Sequence, residues 1–293
     1  MTYSEKLLAS ASRVGNITCM GLDPQMESLP FQDGDVRTNL NRFFQQLFRR
    51  MALSGLIPSA FKPNIGYYQA LDHPRDEDFS GSLALADLFD LVENFFPGIP
   101  IILDSKRGDI ARSSLNYANE AFDAWGSDAV TVAPYMGQDS LRPFIDHTPL
   151  KRGVYILNRT SNPGGKDLQN LTVHSGDGTS FLYQEVARQI ILYNNNTGSV
   201  GAVVGATNMD ELKDIASLFA QHAVPLLIPG VGSQGGSAPS VMGALRESGY
   251  PVKMARINSS SALTHPWKKG EAPEDWLQMC ESSLRKLLEE TKV

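Results

Sequence analysis

Apolar runs of six or seven residues recur eight times along this chain, and stretches of helical length separate them. The runs are ITCMGLD (17–23), SAFKPN (59–64), IPIILD (99–104), DAVTVAP (128–134), GVYILNR (153–159), GAVVGA (201–206), PLLIPG (225–230) and VKMARIN (252–258). Each is short enough to be a fully buried strand, whereas a buried helix needs a longer run. Between them lie VRTNLNRFFQQLFRRMALSG, SLALADLFDLVENFF and FLYQEVARQIILYNNN. The closing APEDWLQMCESSLRKLLEE carries Trp276, Leu277, Cys280, Leu284, Leu287 and Leu288 on one helical face, with Pro273 and two acids near its start. Eight strands alternating with helices in 293 residues, without a linker, repeat or low-complexity segment, predict one α/β domain over 1–293. The architecture expected is a single (β/α)8 TIM barrel, with an open doubly wound sheet as the competing arrangement.

Composition limits the partners. With 42% hydrophobic and 20% charged residues the chain is well supplied for a buried core. A formal charge of −6 and no basic run argue against a nucleic-acid surface or an anionic membrane. The N-terminal MTYSEKLLASASRV places Glu5 and Lys6 where a signal peptide would be apolar, no stretch approaches a membrane span, and ETKV is no address tag. Cys19 and Cys280 stand far apart in no metal or redox spacing, so a soluble protein of the reducing cytosol is expected. The five histidines form no ligand pair, which favours structural roles for them over metal binding.

Charge is concentrated in LDSKRGDIARSS (103–114), where Asp104, Lys106 and Asp109 fall within six residues at the end of the third strand. A solvated loop would explain the charges alone, and the embedded RGD is a tripeptide that recurs by chance. Position argues for more, because in a barrel every strand delivers its C-terminal residues to one rim. Reading those ends gives Asp23 on the first strand, Lys62 and Asn64 on the second, and the Asp104 cluster on the third. Lys62 is the informative one. A lysine within AFKPN must meet an opposite charge or bury its ammonium at great cost, and Asp104 across the rim is the expected partner. GVGSQGG contains GxGxxG at Gly230, Gly232 and Gly235, but too little chain follows for a dinucleotide fold. The spacing better suits a phosphate held by backbone N–H groups after strands seven and eight.

These residues carry a family resemblance. LDSKRGDI resembles the Asp-x-Lys-x-x-Asp-Ile signature of the orotidine 5′-monophosphate decarboxylases, in the branch whose third strand ends in KRGDI. GLDP (21–24), FKPN (61–64), VTVAPYMGQDSLRPF (130–144), RTSNPGG (159–165), VVGAT (203–207) and PGVGSQGG (229–236) resemble further blocks of that family in the expected order. The resemblance implies decarboxylation to uridine 5′-monophosphate by a homodimer, with no metal or organic cofactor. It implies that Lys62, Asp104, Lys106 and Asp109 form a charged catalytic tetrad, with Asp109 and then Ser113 crossing into the neighbouring subunit's site. Asp23 and Asn64 would lie near the ribose and tetrad, Thr160 and Ser161 at the pyrimidine, and Gln234, Ser260 and Ser261 at the phosphate. One departure stands out: the family's phosphate-gripping arginine is matched here by Ser261, and Arg256, Lys268 and Lys269 are the nearest alternative cations in sequence. Some relatives are fused to orotate phosphoribosyltransferase, and 293 residues match the decarboxylase part only. The alternatives are a barrel relative with the same signature that acts on a sugar phosphate, usually with Mg²⁺, and a non-catalytic nucleotide-binding relative.

Overall fold

The structure, a computed structural model, describes residues 2–148, 151–175, 178–232, 235–267 and 270–293. Its elements run α1 (Tyr3–Val14), β1 (Thr18–Gly21), α2 (Val36–Leu53), β2 (Ala60–Lys62), α3 (Gly66–Gln69), α4 (Ser80–Phe95), β3 (Ile102–Arg107), α5 (Ala111–Asn119) and β4 (Ala129–Val132). They continue through α6 (Gln138–Ile145), β5 (Gly153–Arg159), α7 (Lys166–Gln169), β6 (Thr172–Ser175), β7 (Gly178–Phe181), α8 (Leu182–Thr197) and β8 (Val200–Val204). The last are α9 (Met209–Ala220), β9 (Leu226–Ile228), α10 (Ala238–Glu247), β10 (Ala255–Ser259), α11 (Ser261–Thr264) and α12 (Trp276–Glu290).

Eight strands form a parallel sheet in the order β2-β1-β10-β9-β8-β5-β4-β3. Its two edges meet through parallel bridges at Phe61–Ile101 and Asn64–Asp104, where the Asp104 N–H donates to the Pro63 carbonyl at 2.9 Å. The sheet therefore curls into a nearly closed barrel, and the open-sheet alternative falls away. Inside it Cys19, Ala60, Ile102, Ala129, Tyr155, Val203 and Leu227 form one apolar cluster, each from a different strand. A larger apolar shell joins the strands to the surrounding helices.

Helix α1 closes the N-terminal mouth. Thr2 and Glu5 cap it reciprocally, and Gly15 ends it in the left-handed conformation (φ 72°) that glycine adopts without a Cβ clash. Tyr3 and Leu7 project from α1 into the interior cluster. Arg256 meets them there, fully buried, donating to the Leu7, Ala255 and Lys253 carbonyls.

The sheet ladder is shorter than most of the apolar runs, because the runs continue into the rim. Two elements differ in kind from expectation. The residues around β6 and β7 form an antiparallel two-stranded ribbon that the weakly patterned sequence did not announce. Helix α5 passes into a π-helical turn at Glu120–Ala124, where the Trp125 N–H reaches the Glu120 carbonyl. That turn presents Glu120 to Arg107 at 2.8 Å, while the guanidinium also lies over the Tyr117 ring. Arg107 thus belongs to the packing of α5, and its neighbour Lys106 does not.

Candidate active site

The end of β3 is built irregularly. Leu103 pairs with Val130 and Arg107 with Val132, so four steps along β3 oppose two along β4. Such a bulge re-aims the side chains within it. Lys106 sits there at φ 47°, a left-handed conformation unfavourable for a residue with a Cβ. Thr131 holds it: its hydroxyl oxygen accepts from the Ser105 and Lys106 N–H groups at 3.1 and 3.0 Å and donates to Asp104 Oδ1 at 2.9 Å. Thr131 is fully buried and was not anticipated from sequence, since a threonine in a strand is ordinarily just a good strand former.

Asp104 is the centre of the site. Its Oδ2 accepts from Lys62 Nζ at 2.8 Å and its Oδ1 from Lys106 Nζ at 2.6 Å. Burial alone would raise the Asp104 pKa, but the two ammonium groups outweigh it and hold the carboxylate well below its ordinary range. Burial would likewise lower the Lys62 pKa, and Asp104 with Asp23, the latter at 3.9 Å, reverses the sign. The pair is locked as ions. Lys62 is buried, whereas the Lys106 side chain remains 46% exposed and reaches inward from the rim. Two charged groups are thus fixed and the third is accessible to a ligand.

This array lines a cleft of about 1020 Å³ at the C-terminal mouth of the barrel. Asp23, Asn64, Thr160, Ser161, Ser260 and Ser261 line it too, as their sequence positions suggested. Asp23 accepts from the Asn64 N–H at 3.0 Å, tying the end of β1 to that of β2. Gly21 must be glycine here, because a Cβ would lie 2.6 Å from that of Ser260. Asp109 and Ser113 do not line the cleft of their own chain: Asp109 is half-buried and accepts from the Ile110 N–H, and Ser113 is exposed on α5. Gln234, Lys268 and Lys269 lie outside the described residues. Arg256 is corrected. It points beneath the cleft floor toward α1, with its guanidinium on backbone carbonyls, and is unavailable to a phosphate. Among the described residues no group of three or more His, Cys, Asp or Glu side chains is placed to hold a metal ion.

Comparison with known proteins bears on the same residues. A profile of the Orotidine 5'-phosphate decarboxylase / HUMPS family matches residues 19–247. The chain belongs to this family. An orotidine 5'-phosphate decarboxylase of Variovorax paradoxus (strain S110) is 37% identical over 292 residues, covering 100% of both chains. Among family structures, Leishmania donovani OMP decarboxylase superposes with a TM-score of 0.74 at 27% identity, covering 99% of each chain. Leishmania donovani UMP synthase gives a TM-score of 0.75 at 30% identity; the match covers 98% of this chain but 56% of that longer one.

In this member of the decarboxylase / HUMPS family the 160–165 loop is anchored from behind. Arg159, buried at the end of β5, lies with Nε 2.8 Å from Glu211 Oε2 on α9. The Nε–H is not aimed along that contact, so the attraction is mainly coulombic. Arg159 also donates to the Thr160 carbonyl and to Gln169, whose amide oxygen accepts the Thr160 N–H at 2.9 Å. Asn170 completes the arrangement by donating to Glu211 at 2.8 Å. Glu211→Ala would leave the guanidinium buried without its counter-charge. The expected loss of stability is about 3–5 kcal/mol, on the order of 10 °C in Tm, with a raised KM as the loop loosens. Thermal melts and substrate titrations check both, and an unchanged Tm would show the pair to be dispensable.

Proposed function

We infer that this chain is an enzyme that decarboxylates orotidine 5′-monophosphate to uridine 5′-monophosphate, a step of pyrimidine nucleotide biosynthesis. Relatives named orotidine 5'-phosphate decarboxylase match over 90% or more of the chain. The structural observation that carries the reading is buried Asp104 held between two ammonium groups, one of them open to the cleft. Breaking the bond from C6 to the carboxylate leaves an electron pair in an sp² orbital with no adjacent carbonyl to accept it. A fixed ammonium beside C6 stabilises that pair without reorganisation and then delivers the proton, and Lys106 is the group in place to do both. Asp104 sits against the departing carboxylate, a repulsion relieved as neutral CO₂ leaves. Lys62 and Thr131 keep Asp104 charged and aimed. Binding energy from the remote phosphate closes the loops around this array.

The deciding experiment follows loss of orotidine absorbance in a chelator-treated sample. Turnover that persists in EDTA is expected. Turnover abolished by EDTA and restored by Mg²⁺ would point to the sugar-phosphate relatives, and none at all to a non-catalytic binder.

The same reading makes the active unit a homodimer in which Asp109 and Ser113 serve the neighbouring site. Around Asp109 the exposed apolar side chains Ile110, Tyr135 and Met136 support an interface at this rim. The longer UMP synthase supports a second arrangement, in which the barrel is joined to orotate phosphoribosyltransferase. No described helix is long and apolar enough to cross a membrane, and both cysteines are free and buried. A cytoplasmic location suits these features.

Ser261 lines the cleft but brings no positive charge. A charge-assisted hydrogen bond contributes about 1.5–3 kcal/mol, so Ser261→Arg should lower KM for the phosphorylated substrate roughly tenfold or more. Orotidine without phosphate should respond little. An unchanged KM in a well-folded variant would mean that another group already fills the role.

A further inference from the structure

The stretch from Asn258 to Trp267 concentrates unmet polar groups. Asn258 Oδ1, Ser260 Oγ, His265 Nε2 and Trp267 Nε1 are all buried without a hydrogen-bond partner among the described residues. Buried polar atoms are ordinarily paired, so several orphans within one short segment point to something that the segment is built to meet. Three of these residues, Asn258, Ser260 and His265, line the cleft. Trp267 packs edge-on against the His265 ring.

His265 has a further distinction. Three basic side chains line the cleft among the described residues, and both lysines are tied to Asp104. His265 alone has no carboxylate bonded to it. It is 4% exposed, and its Nδ1 lies 2.9 Å from the Thr264 hydroxyl, which fixes the ring. The other nitrogen, Nε2, is left to serve a ligand. Resting on the function inferred above, we propose that His265 Nε2, with the Ser260 hydroxyl, binds the phosphate of the nucleotide at the β10–α11 end of the cleft, adding a hydrogen bond where Ser261 supplies no charge. Burial lowers the His265 pKa, opposed by the charges of Glu27 and Asp23. In the tautomer that serves a phosphate, Nε2 carries the proton and Nδ1 accepts from the Thr264 hydroxyl. Ala262, beside Ser261 on the same wall, and the apolar Pro266 offer the phosphate nothing comparable.

Uridine 5′-monophosphate and uridine are the probes, measured by calorimetry on the full chain, so the test does not depend on turnover. His265→Ala should weaken uridine 5′-monophosphate roughly tenfold or more, as loss of a hydrogen bond to a charged group does, and uridine far less. His265→Gln, which keeps a donor, should recover part of the loss. Ser261→Arg should gain more affinity for uridine 5′-monophosphate in the His265→Ala background than in the wild type, because both groups serve one phosphate, and equal gains in the two backgrounds would overturn the assignment. The wild-type chain gives an independent readout: the His265 imidazole nitrogen resonances should shift with uridine 5′-monophosphate and stay in place with uridine. An unchanged preference for the phosphorylated ligand in folded variants, or resonances indifferent to it, overturns the assignment. So does a loss seen only on replacing Lys268 and Lys269. Failure of the function reading would look different: wild-type protein that binds the nucleotide yet never consumes orotidine 5′-monophosphate.

Discussion

Lys106→Ala should remove turnover and leave the fold standing. The proposed roles of this ammonium, stabilising the developing charge at C6 and delivering the proton, both act in the transition state. Losses of that kind appear in kcat and kcat/KM together, here by about 10⁴-fold or more. The stability half of the expectation follows from geometry. Asp104 would still have Lys62 at 2.8 Å and the Thr131 hydroxyl at 2.9 Å, so no buried charge is stranded. The Lys106 side chain is itself half-exposed, and its truncation opens no cavity in the core. Alanine at φ 47° would keep the left-handed strain that lysine already bears there. Stopped assays on orotidine 5′-monophosphate and a thermal melt measure the two halves. Near-normal kcat would remove Lys106 from the chemistry, and a collapsed melt would mean that it holds the rim together instead.

Much of this site could be read from residues out of keeping with their surroundings. Lys62 is a lysine in an apolar strand and Asp104 an acid closing another, and a barrel brings strand ends together whatever their separation in sequence. Thr131 gave no such signal, because its importance arises from a backbone irregularity in the neighbouring strand β3, far from it in sequence. Arg256 shows the opposite failure. Its place just before the strand-eight loop made it a candidate for the phosphate, yet it lies one layer down, where α1 plugs the barrel. Sequence distance along a strand does not reveal which layer a side chain occupies. His265 was passed over because histidines were weighed as metal ligands, in pairs, and a lone histidine forms none. The ribbon of β6 and β7 escaped notice for want of apolar alternation: its residues are largely exposed and bury little.

Mixing two inactive proteins should produce activity. If Asp109 completes the partner's site, each site of the homodimer combines Lys62, Asp104 and Lys106 of one subunit with Asp109 of the other. Lys106→Ala homodimers then lack the ammonium in both sites, and Asp109→Ala homodimers lack the crossing carboxylate in both. A heterodimer is different. One of its sites carries both substitutions, while the other takes Lys106 from the Asp109→Ala subunit and Asp109 from the Lys106→Ala subunit, and is whole. Random reassortment makes about half of all dimers mixed, so activity should rise to roughly a quarter of the wild-type value per subunit. The position of Asp109 makes the test clean: within its own chain it lines no part of the cleft, and its carboxylate is engaged by the neighbouring Ile110 N–H alone among the hydrogen bonds of the described residues. A self-contained site would make Asp109→Ala either harmless or beyond rescue. Native mass spectrometry establishes that subunits have exchanged, and activity still at baseline after exchange would rule out shared sites.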